Sequence, residues 1–598
     1  MNNLESLPRL QATALFGGPL RQFLRPVESA LEKLLRLDRL RTAFAAARGS
    51  AEFSAFESLL RLLCIDYAVT PDDLARIPAS GPAVLVVNHP YGFLEGAILG
   101  AMLPRIRPDV RFLANSKLAT VPELQKLCIF VNPSGGPDAR QENRKPMREC
   151  LEWLRNGGLL VIFPAGEVAH LEWTSRAITD PPWHAGAARL SRLAGCPVIP
   201  AFFRGANSLS FQLMGAVHPS LRTANLPREL LNKAGKSIEL RIGRAVSAEA
   251  MREFPTEGEA IEYLRCRTYW LAGRRRREPQ PIALPINRAA VPIAAGIDAD
   301  LLETEIGRLA PNQLLCETEE MSVYLAGAEQ IPWTLREIGR LRELTFRQVG
   351  EGTGREADLD RFDASYLHLF VHHKADRQLV GAYRLGATPD ILPRHGVRGL
   401  YTSTLFHYDP ELFRRVGPAI ELGRSFVRAE YQRQYAPLLM LWKGIARYVA
   451  ARPECPVLFG AASISNDYNR VSRDLLVRFL ESHRADDLAR FVKPRRPYRR
   501  MWGTAGTEWM CRFLADLEGV SDVISEVEAD GKGVPILIRQ YVKMGGRILG
   551  FNVDTNFSKA LDGLVIMDLR DTPEAVLGRL MSRDAAAAFR RHHAQRCA

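Results

Sequence analysis

The stretch AVLVVNHPYGFLEG, residues 83–96, decides the fold of the first half of the chain. Ala83 to Val87 form an unbroken apolar run that ends in the turn-forming residues Asn88, His89, Pro90, Tyr91 and Gly92. A short apolar run bounded in this way reads as a strand buried on both faces, as in a parallel sheet covered by helices. The pattern returns in LLVIFPAG at 159–166 and PVIPAFF at 197–203, and the stretches 142–156 and 184–194 between them read as helices. Strands alternating with helices predict an α/β unit with a largely parallel sheet. Sites of open α/β sheets gather at the carboxyl ends of strands, and His89 stands at such an end. Glu95 follows six residues later. On a regular helix that spacing turns the carboxylate about 240° away from the histidine. The two can meet only if the chain between them is a turn, which Gly92 permits. A histidine held by a carboxylate is an oriented general base for a hydroxyl or amine; the same pairing also occurs as a purely structural contact.

Residues 80–250 resemble the lysophosphatidate (glycerolipid) acyltransferases. The H-x-x-x-x-D motif, F-P-E-G strand end and V-P-V-x-P-V-like strand of that family have counterparts, in order, in NHPYGFLE, FPAG at 163–166 and CPVIPAFF at 196–203. The resemblance implies acyl transfer from a thioester to a lipid hydroxyl, with His89 as base and Glu95 as its partner. It also implies substrate contacts from Asn88, Gly92, Phe163, Pro164, Gly166, Glu167 and Arg204. The chain departs from the pattern in several places. Its carboxylate is Glu and one residue late, and Ala165 replaces the motif glutamate, with Glu167 two residues on. Ala169 and His170 stand where an arginine is expected after F-P-E-G, and Asn132 in CIFVNPSGG (128–136) where the family's strand leads into another. In the family those arginines hold the acceptor's phosphate, for which a guanidinium fork is well suited. Their absence implies an acceptor without phosphate, with Arg204 able to compensate in part.

Toward the C-terminus, residues 272–298 combine the run Arg274 to Arg277 with several prolines and little periodicity, a linker signature. The arginines are either solvated or in contact with phosphate headgroups. Beyond residue 300 the pattern predicts helices over 333–348 and 436–451 and strands over 366–373, 378–385, 456–463 and 561–569, again α/β or α+β. The expected organisation is a helical leader over 1–70, an acyltransferase-like domain over 71–271, a linker over 272–300 and a second α/β domain over 301–598.

That second domain carries RELTF with Arg342 and Phe346 one helical turn apart, DRFD with Asp360 and Asp363, VGAYRL with Arg384, and ELGRSFV with Glu421 and Arg424. In this order they resemble the acyl-homoserine lactone synthases and the related ornithine N-acyltransferases, both with GNAT-like folds, over about residues 315–570. PILIRQYVKMGGRILGFNVDTNFSKALDGLVIMDL, 535–569, is similar to the end of the latter type. Gly423 departs from the Ser or Thr of the synthases. The GNAT loop that cradles coenzyme A phosphates on backbone N–H groups is not evident after Glu421. The resemblance therefore implies acyl carrier protein rather than coenzyme A as the form in which the donor arrives. It implies that Glu421 helps accept the amine proton, directly or through a water. Arg384 and Arg424 hold either the fold or the carboxylate of the amino acid; two buried ion pairs would give the same residue list.

Fused in this order, the halves resemble the two consecutive enzymes of ornithine-lipid synthesis. One N-acylates an amino acid with a 3-hydroxyacyl chain, and the other O-acylates the new hydroxyl of the lyso-aminolipid. The competing reading is a monofunctional lysophospholipid acyltransferase whose second domain only binds carrier protein or membrane.

Bulk properties narrow the partners. Among 598 residues, 46% are hydrophobic and 25% charged, ordinary for a globular protein, and 80 Lys plus Arg against 67 Asp plus Glu give a formal net charge of +13. Such an excess suits anionic headgroups or an acidic carrier protein; no zinc-finger spacing or RNP-like strand supports nucleic acid. The nine cysteines include no C-x-x-C pair, which argues against a disulfide framework or zinc site and for a reducing compartment. No metal or resident cofactor is expected, the acyl thioester being a substrate. The N-terminus, with Glu5, is a poor signal peptide, and no apolar run reaches the roughly 18–20 residues of a membrane span. Residues 20–45 predict a basic amphipathic helix, either resting on an anionic bilayer or packed on its own domain, and 53–69 predict a second helix. Together these features place the protein in the cytoplasm, peripheral on the inner face of the cell membrane.

Overall fold

Each apolar run read above as a strand pairs with neighbours that cover it. In the computed structural model, residues 55–119, 124–133, 136–172, 177–274, 291–500, 516–555 and 557–597 are described. The helix expected over 20–45 and the central part of the expected linker, 275–290, lie outside them. The chain divides into two compact units, Met1–Arg274 and Arg275–Ala598.

The first unit runs α1 (Ala55–Leu62), β1 (Asp66–Ala68), β2 (Ala83–Val87), α2 (Phe93–Met102), β3 (Val110–Asn115), β4 (Cys128–Val131), α3 (Arg144–Arg155), β5 (Leu159–Ile162), α4 (Gly186–Ala194), β6 (Val198–Phe203), β7 (Ser237–Ile242) and α5 (Glu257–Trp270), among shorter pieces. Its seven-stranded sheet has the order β1-β7-β6-β2-β5-β3-β4. Only the β6–β7 step is antiparallel; the other neighbours run parallel. β2 lies in the middle of this order, and Ala83, Val84, Leu85, Val86 and Val87 are completely buried. Burying one such Val or Leu side chain contributes about 1.5–3 kcal/mol, so this run holds its register firmly. The helix expected over 53–69 stops at Leu62. Cys64 takes a φ of 50°, a left-handed conformation that a helix cannot continue through. Asp66–Ala68 then pairs in parallel with Ser237–Glu239 at the sheet edge.

The second unit contains β8 (Leu314–Glu317), β9 (Met321–Gly327), α6 (Pro332–Gln348), β10 (Leu367–His373), β11 (Gln378–Ala387), β12 (Ala419–Val427), α7 (Ala436–Ala451), β13 (Val457–Ile464), β14 (Arg547–Asp554) and β15 (Ala560–Asp568). The eight-stranded sheet has the order β8-β9-β10-β11-β12-β13-β15-β14. Ile338 and Leu341 of α6 pack with Phe370, Leu379 and Phe426 of the sheet. β12 and β13 form the single parallel pair of this sheet, and they pair only from Ala419–Glu421 to Val457–Phe459. Beyond that point the strands part, and a cleft lined by Leu422, Gly423, Arg424, Ala461 and Ser463 opens between them. On its other side β12 shifts register against β11 between Ala382 and Arg384, and Arg424 adopts a φ of 51°. This is a β-bulge, which bends a strand and re-aims a side chain.

Two glycines at the mouth of the cleft behave differently. A Cβ on Gly460 would lie 2.1 Å from the Leu422 carbonyl oxygen, whereas one on Gly423 would meet nothing within 4 Å. Gly460→Ala is expected to lower stability by about 1–3 kcal/mol through overpacking, and Gly423→Ala to change it by less than about 1 kcal/mol. Equilibrium urea unfolding of the two variants checks this contrast.

Candidate functional site

In the first unit, the end of β2 is stapled to β6. Asn88 Nδ2 donates to the Phe203 carbonyl at 3.0 Å, and the Phe203 N–H donates back to Asn88 Oδ1 at 2.7 Å. Asn88 thus fixes the point from which His89 projects. Gly92 then takes a φ of 103°, so the chain turns before α2 begins at Phe93. The turn brings Glu95 back to His89: Nδ1 and Oε1 are 3.6 Å apart. Glu95 is fully buried, and its Oε1 accepts the backbone N–H groups of Tyr91 at 2.5 Å and Gly92 at 3.2 Å. The carboxylate therefore fixes the turn and faces the imidazole with the same oxygen. A Cβ on Gly92 would lie 2.8 Å from a Leu226 methyl, so the position requires glycine twice over.

The motif residues downstream frame this pair. Phe163 packs its ring 4.6 Å from that of His89, centroid to centroid. Pro164 and Gly166 shape the following turn: the Gly166 N–H donates to the Phe163 carbonyl and the His184 N–H to that of Pro164. Glu167 points outward and pairs with Arg222 at 3.0 Å. Arg204 is exposed and lies 3.4 Å from Glu239. One participant carried no sequence signal. Asp180, 1% exposed, accepts the His89 backbone N–H at 3.1 Å on Oδ1 and the Trp183 indole N–H at 2.9 Å on Oδ2. It lies in a Pro-rich loop 91 residues from His89, and only the fold brings them together. Burial works against protonation of His89, but the charges of Glu95 and Asp180 and the Glu95 contact outweigh it, so its pKa is raised above the ordinary 6.5. The imidazole keeps 18% of its side chain exposed. An accessible, carboxylate-oriented imidazole at a strand end has the geometry of a general base.

In the second unit, the predicted residues fall into two groups. Arg342 and Arg384, both fully buried, donate to the same oxygen of Asp363, at 2.8 and 3.1 Å. Arg384 also donates to Asp360 at 2.6 Å. Although burial opposes ionisation of Asp363, the two guanidiniums hold its carboxyl well below the usual carboxylate range. This cluster lies behind the cleft. Phe346 and Arg424 belong to the cleft wall itself. Arg424 is 3.2 Å from Asp358 and 3.5 Å from Asp360, with its guanidinium 4.7 Å above the Tyr401 ring and 4.5 Å from that of Phe557.

Glu421 does not line the cleft. It is 1% exposed and accepts three donors: the Tyr366 hydroxyl, the Tyr401 N–H at 3.0 Å and the Thr402 N–H at 2.7 Å. It anchors the 401–402 turn, which in turn sets Tyr401 against Arg424. The carboxylates that do line the cleft are Glu351, which belongs to no motif read from the sequence, and Asp554 and Asp562, which lie inside the stretch 535–569 though the resemblance there singled out neither.

The comparisons with known proteins follow the same division. Residues 69–204 match a family model described as Acyltransferase, and residues 341–443 match one described as Acetyltransferase (GNAT) domain. The chain is 30% identical over 248 residues to a protein of Bacteroides thetaiotaomicron named glycine N(alpha)-acyltransferase, covering 39% of this chain and 73% of that one. It is 27% identical over 278 residues to the protein of the same name from Phocaeicola vulgatus, covering 44% and 84%. It is also 24% identical over 262 residues to a lyso-glycine lipid O-acyltransferase of Phocaeicola vulgatus, covering 41% and 88%.

Two measurements check the electrostatics. The His89 imidazole should titrate above 6.5 in the folded protein by NMR, and Glu95→Gln, which removes a negative neighbour, should move that midpoint downward. Asp363→Asn should leave two buried guanidiniums short of a counter-charge. It should lower stability by about 3–5 kcal/mol in denaturant unfolding.

Proposed function

This chain belongs to the family of the Bacteroides glycine N(alpha)-acyltransferase, and from that premise we propose that it carries out two successive acylations leading to an amino-acid lipid of the ornithine-lipid type. The GNAT unit transfers a 3-hydroxyacyl chain from acyl carrier protein to the amine of the amino acid. The N-terminal unit then esterifies the new hydroxyl, with His89 as base. The observation that carries this reading is the pairing, in one polypeptide, of an accessible His89 facing a buried Glu95 at a strand end with a cleft between diverging strands of a GNAT unit. Relatives named for an N-acylation and for an O-acylation of a lyso-aminolipid support the same order.

The finer assignments have separate support. Arg204 and Arg222, which flank the residues around His89, are each paired with a carboxylate, Glu239 and Glu167. This favours an acceptor that brings no phosphate. Glu351, Asp554 and Asp562 line the cleft together with the cation Arg424, a lining that suits an amine-bearing acceptor. The ordered motifs over 315–570 support ornithine as that acceptor, and the names of the relatives support glycine. The excess of basic residues suits an acidic carrier protein and an anionic membrane surface, where the product must reside. Among the described residues, no helix is long and apolar enough to cross a membrane, so the proposed association is peripheral.

In O-acylation, His89 Nε2 takes the hydroxyl proton as the oxygen attacks the thioester carbonyl, and returns it to the departing thiolate. Glu95, facing Nδ1, stabilises the imidazolium formed between these steps. The test is the lipid profile of a host that makes no aminolipid of its own. Expression of the chain should yield a diacylated aminolipid. His89→Ala should cut O-acylation by about 100-fold or more and leave the mono-acylated hydroxy-amide to accumulate. Wild-type amounts of diacylated product in that variant would refute the role of His89, and absence of any N-acyl product from the wild type would refute the two-step function.

A further inference from the structure

The sequence motifs assign the amine proton to Glu421, yet that carboxylate is already occupied by three donors and lies off the cleft. N-acylation still needs a base. An amino acid arrives as an ammonium, and only the neutral amine attacks a thioester carbonyl. We propose that Glu351 is the base that takes this proton, and that Asp562 receives the remaining N–H bonds of the same amine; the inference rests on the N-acylation step proposed above.

Four observations support the assignment. Glu351 lies just beyond the C-terminal end of α6, where its own N–H donates to the Phe346 carbonyl at 2.7 Å and closes the turn that presents the side chain to the cleft. The Ser463 hydroxyl on β13 donates to Glu351 Oε2 at 2.9 Å, so the carboxylate is oriented by the strand that forms one wall. Asp562, 6% exposed, lines the same cleft, and its Oδ2 has no hydrogen-bond partner. A buried acceptor left open beside a candidate base is what an N–H donor would fill. Finally, the surroundings poise the acid for neutral pH. Burial, followed by the charges of Asp467 and Asp554, pushes Glu351 up to about 7 against the opposing effects of the Ser463 bond and Arg424. Burial, Asp554 and Glu351 together raise Asp562 well above the ordinary carboxylate value. The charged groups facing Glu351 thus come from β12 (Arg424), the segment after β13 (Asp467), β14 (Asp554) and β15 (Asp562).

The step balances without any further reactant. Glu351 removes one proton from the ammonium, and the nitrogen lone pair attacks the thioester carbonyl carbon. The C–S bond breaks as the C–N bond forms. The second proton of the nitrogen goes to the departing thiolate, giving a free thiol. Glu351 then releases its proton to solvent, and the amide keeps one N–H.

The experiment uses the full-length protein, a 3-hydroxyacyl thioester on carrier protein, and an amino-acid panel that includes ornithine and glycine. N-acyl product and free thiol are measured from pH 5.5 to 9. The wild-type rate should rise with pH through a limb near 7. Glu351→Gln, checked for folding by its melting curve, should lose about 100-fold or more in kcat with the limb gone and KM for the amino acid little changed. Ser463→Ala, which removes a donor that favours the ionised carboxylate, should move the limb to higher pH. Glu421→Gln should lose stability and rate but keep the limb. A Glu351→Gln enzyme within threefold of wild type with its limb intact, a limb unmoved by Ser463→Ala, or a limb lost in Glu421→Gln would each overturn the assignment while leaving the two-step function standing. A wild-type protein that N-acylates no amino acid would overturn that function and this inference with it.

Discussion

Asp363 receives two buried guanidiniums on one oxygen, and the arrangement of the second unit follows from that constraint. Arg342 comes from α6 and Arg384 from β11, so the carboxylate ties the helix to the sheet at the point where β12 bulges. Asp360 is drawn in by Arg384 and its N–H donates to the other Asp363 oxygen at 2.7 Å. That fixes the segment from Asp358 to Asp363, and Asp358 and Asp360 in turn hold Arg424 at the cleft wall. Removing two cations and a carboxylate from water is costly, and such a cluster persists only when every partner is in place. Here its use is positional: it sets Arg424, while Glu421 independently sets Tyr401 from below.

Both sites depend on a residue with positive φ at a strand end or bulge. At Gly92 the left-handed step shortens the path between His89 and Glu95, and at Arg424 a bulge turns a long side chain toward the splayed strands. For glycine such a conformation is nearly free, but for arginine it is not. Backbone strain of this kind survives where surrounding contacts over-determine it. Arg424 has such contacts in Asp358, Asp360, Tyr401 and Phe557.

The strands and helices were legible because each is a run whose period or continuity reports burial. Ala83–Val87, Val198–Phe203 and Ala436–Ala451 fall where their apolar patterns place them. The edge strand Asp66–Ala68 was not, because three residues carry too little pattern to compete with a preceding helix. His89 and Glu95 were legible as a pair conditional on a turn, and Gly92 supplies it. The ordered set Arg342, Asp360, Asp363, Arg384 and Arg424 was legible as a group, though the sequence left its division open: four of these residues form the cluster behind the cleft and Arg424 lines it. Asp554 and Asp562 lay inside the quoted stretch 535–569, whose resemblance singled out no one residue; Asp180 and Glu351 were invisible for a common reason. Each reaches its site from an element far away in sequence, and a single acid in a loop or strand carries no spacing to read.

Net charge is a further case in which a global quantity and a local one differ. The chain carries +13 overall, yet the cleft is lined by Glu351, Asp554 and Asp562. At physiological ionic strength, fields from exposed charges fade over about 8 Å, so the basic exterior does not cancel the acidic interior of the cleft. In the proposed reaction the two fields would act on different molecules. An acidic carrier would be drawn to the exterior before its acyl chain enters, whereas a cationic amine would be held only once it is inside. Under that proposal global charge would bear on the rate of encounter with the donor, and the local acids on the binding and deprotonation of the acceptor. Any site that brought an anionic carrier and a cationic amine to one carbonyl would gain from keeping these attractions on separate surfaces, because a cleft as basic as the exterior would repel the amine to be deprotonated.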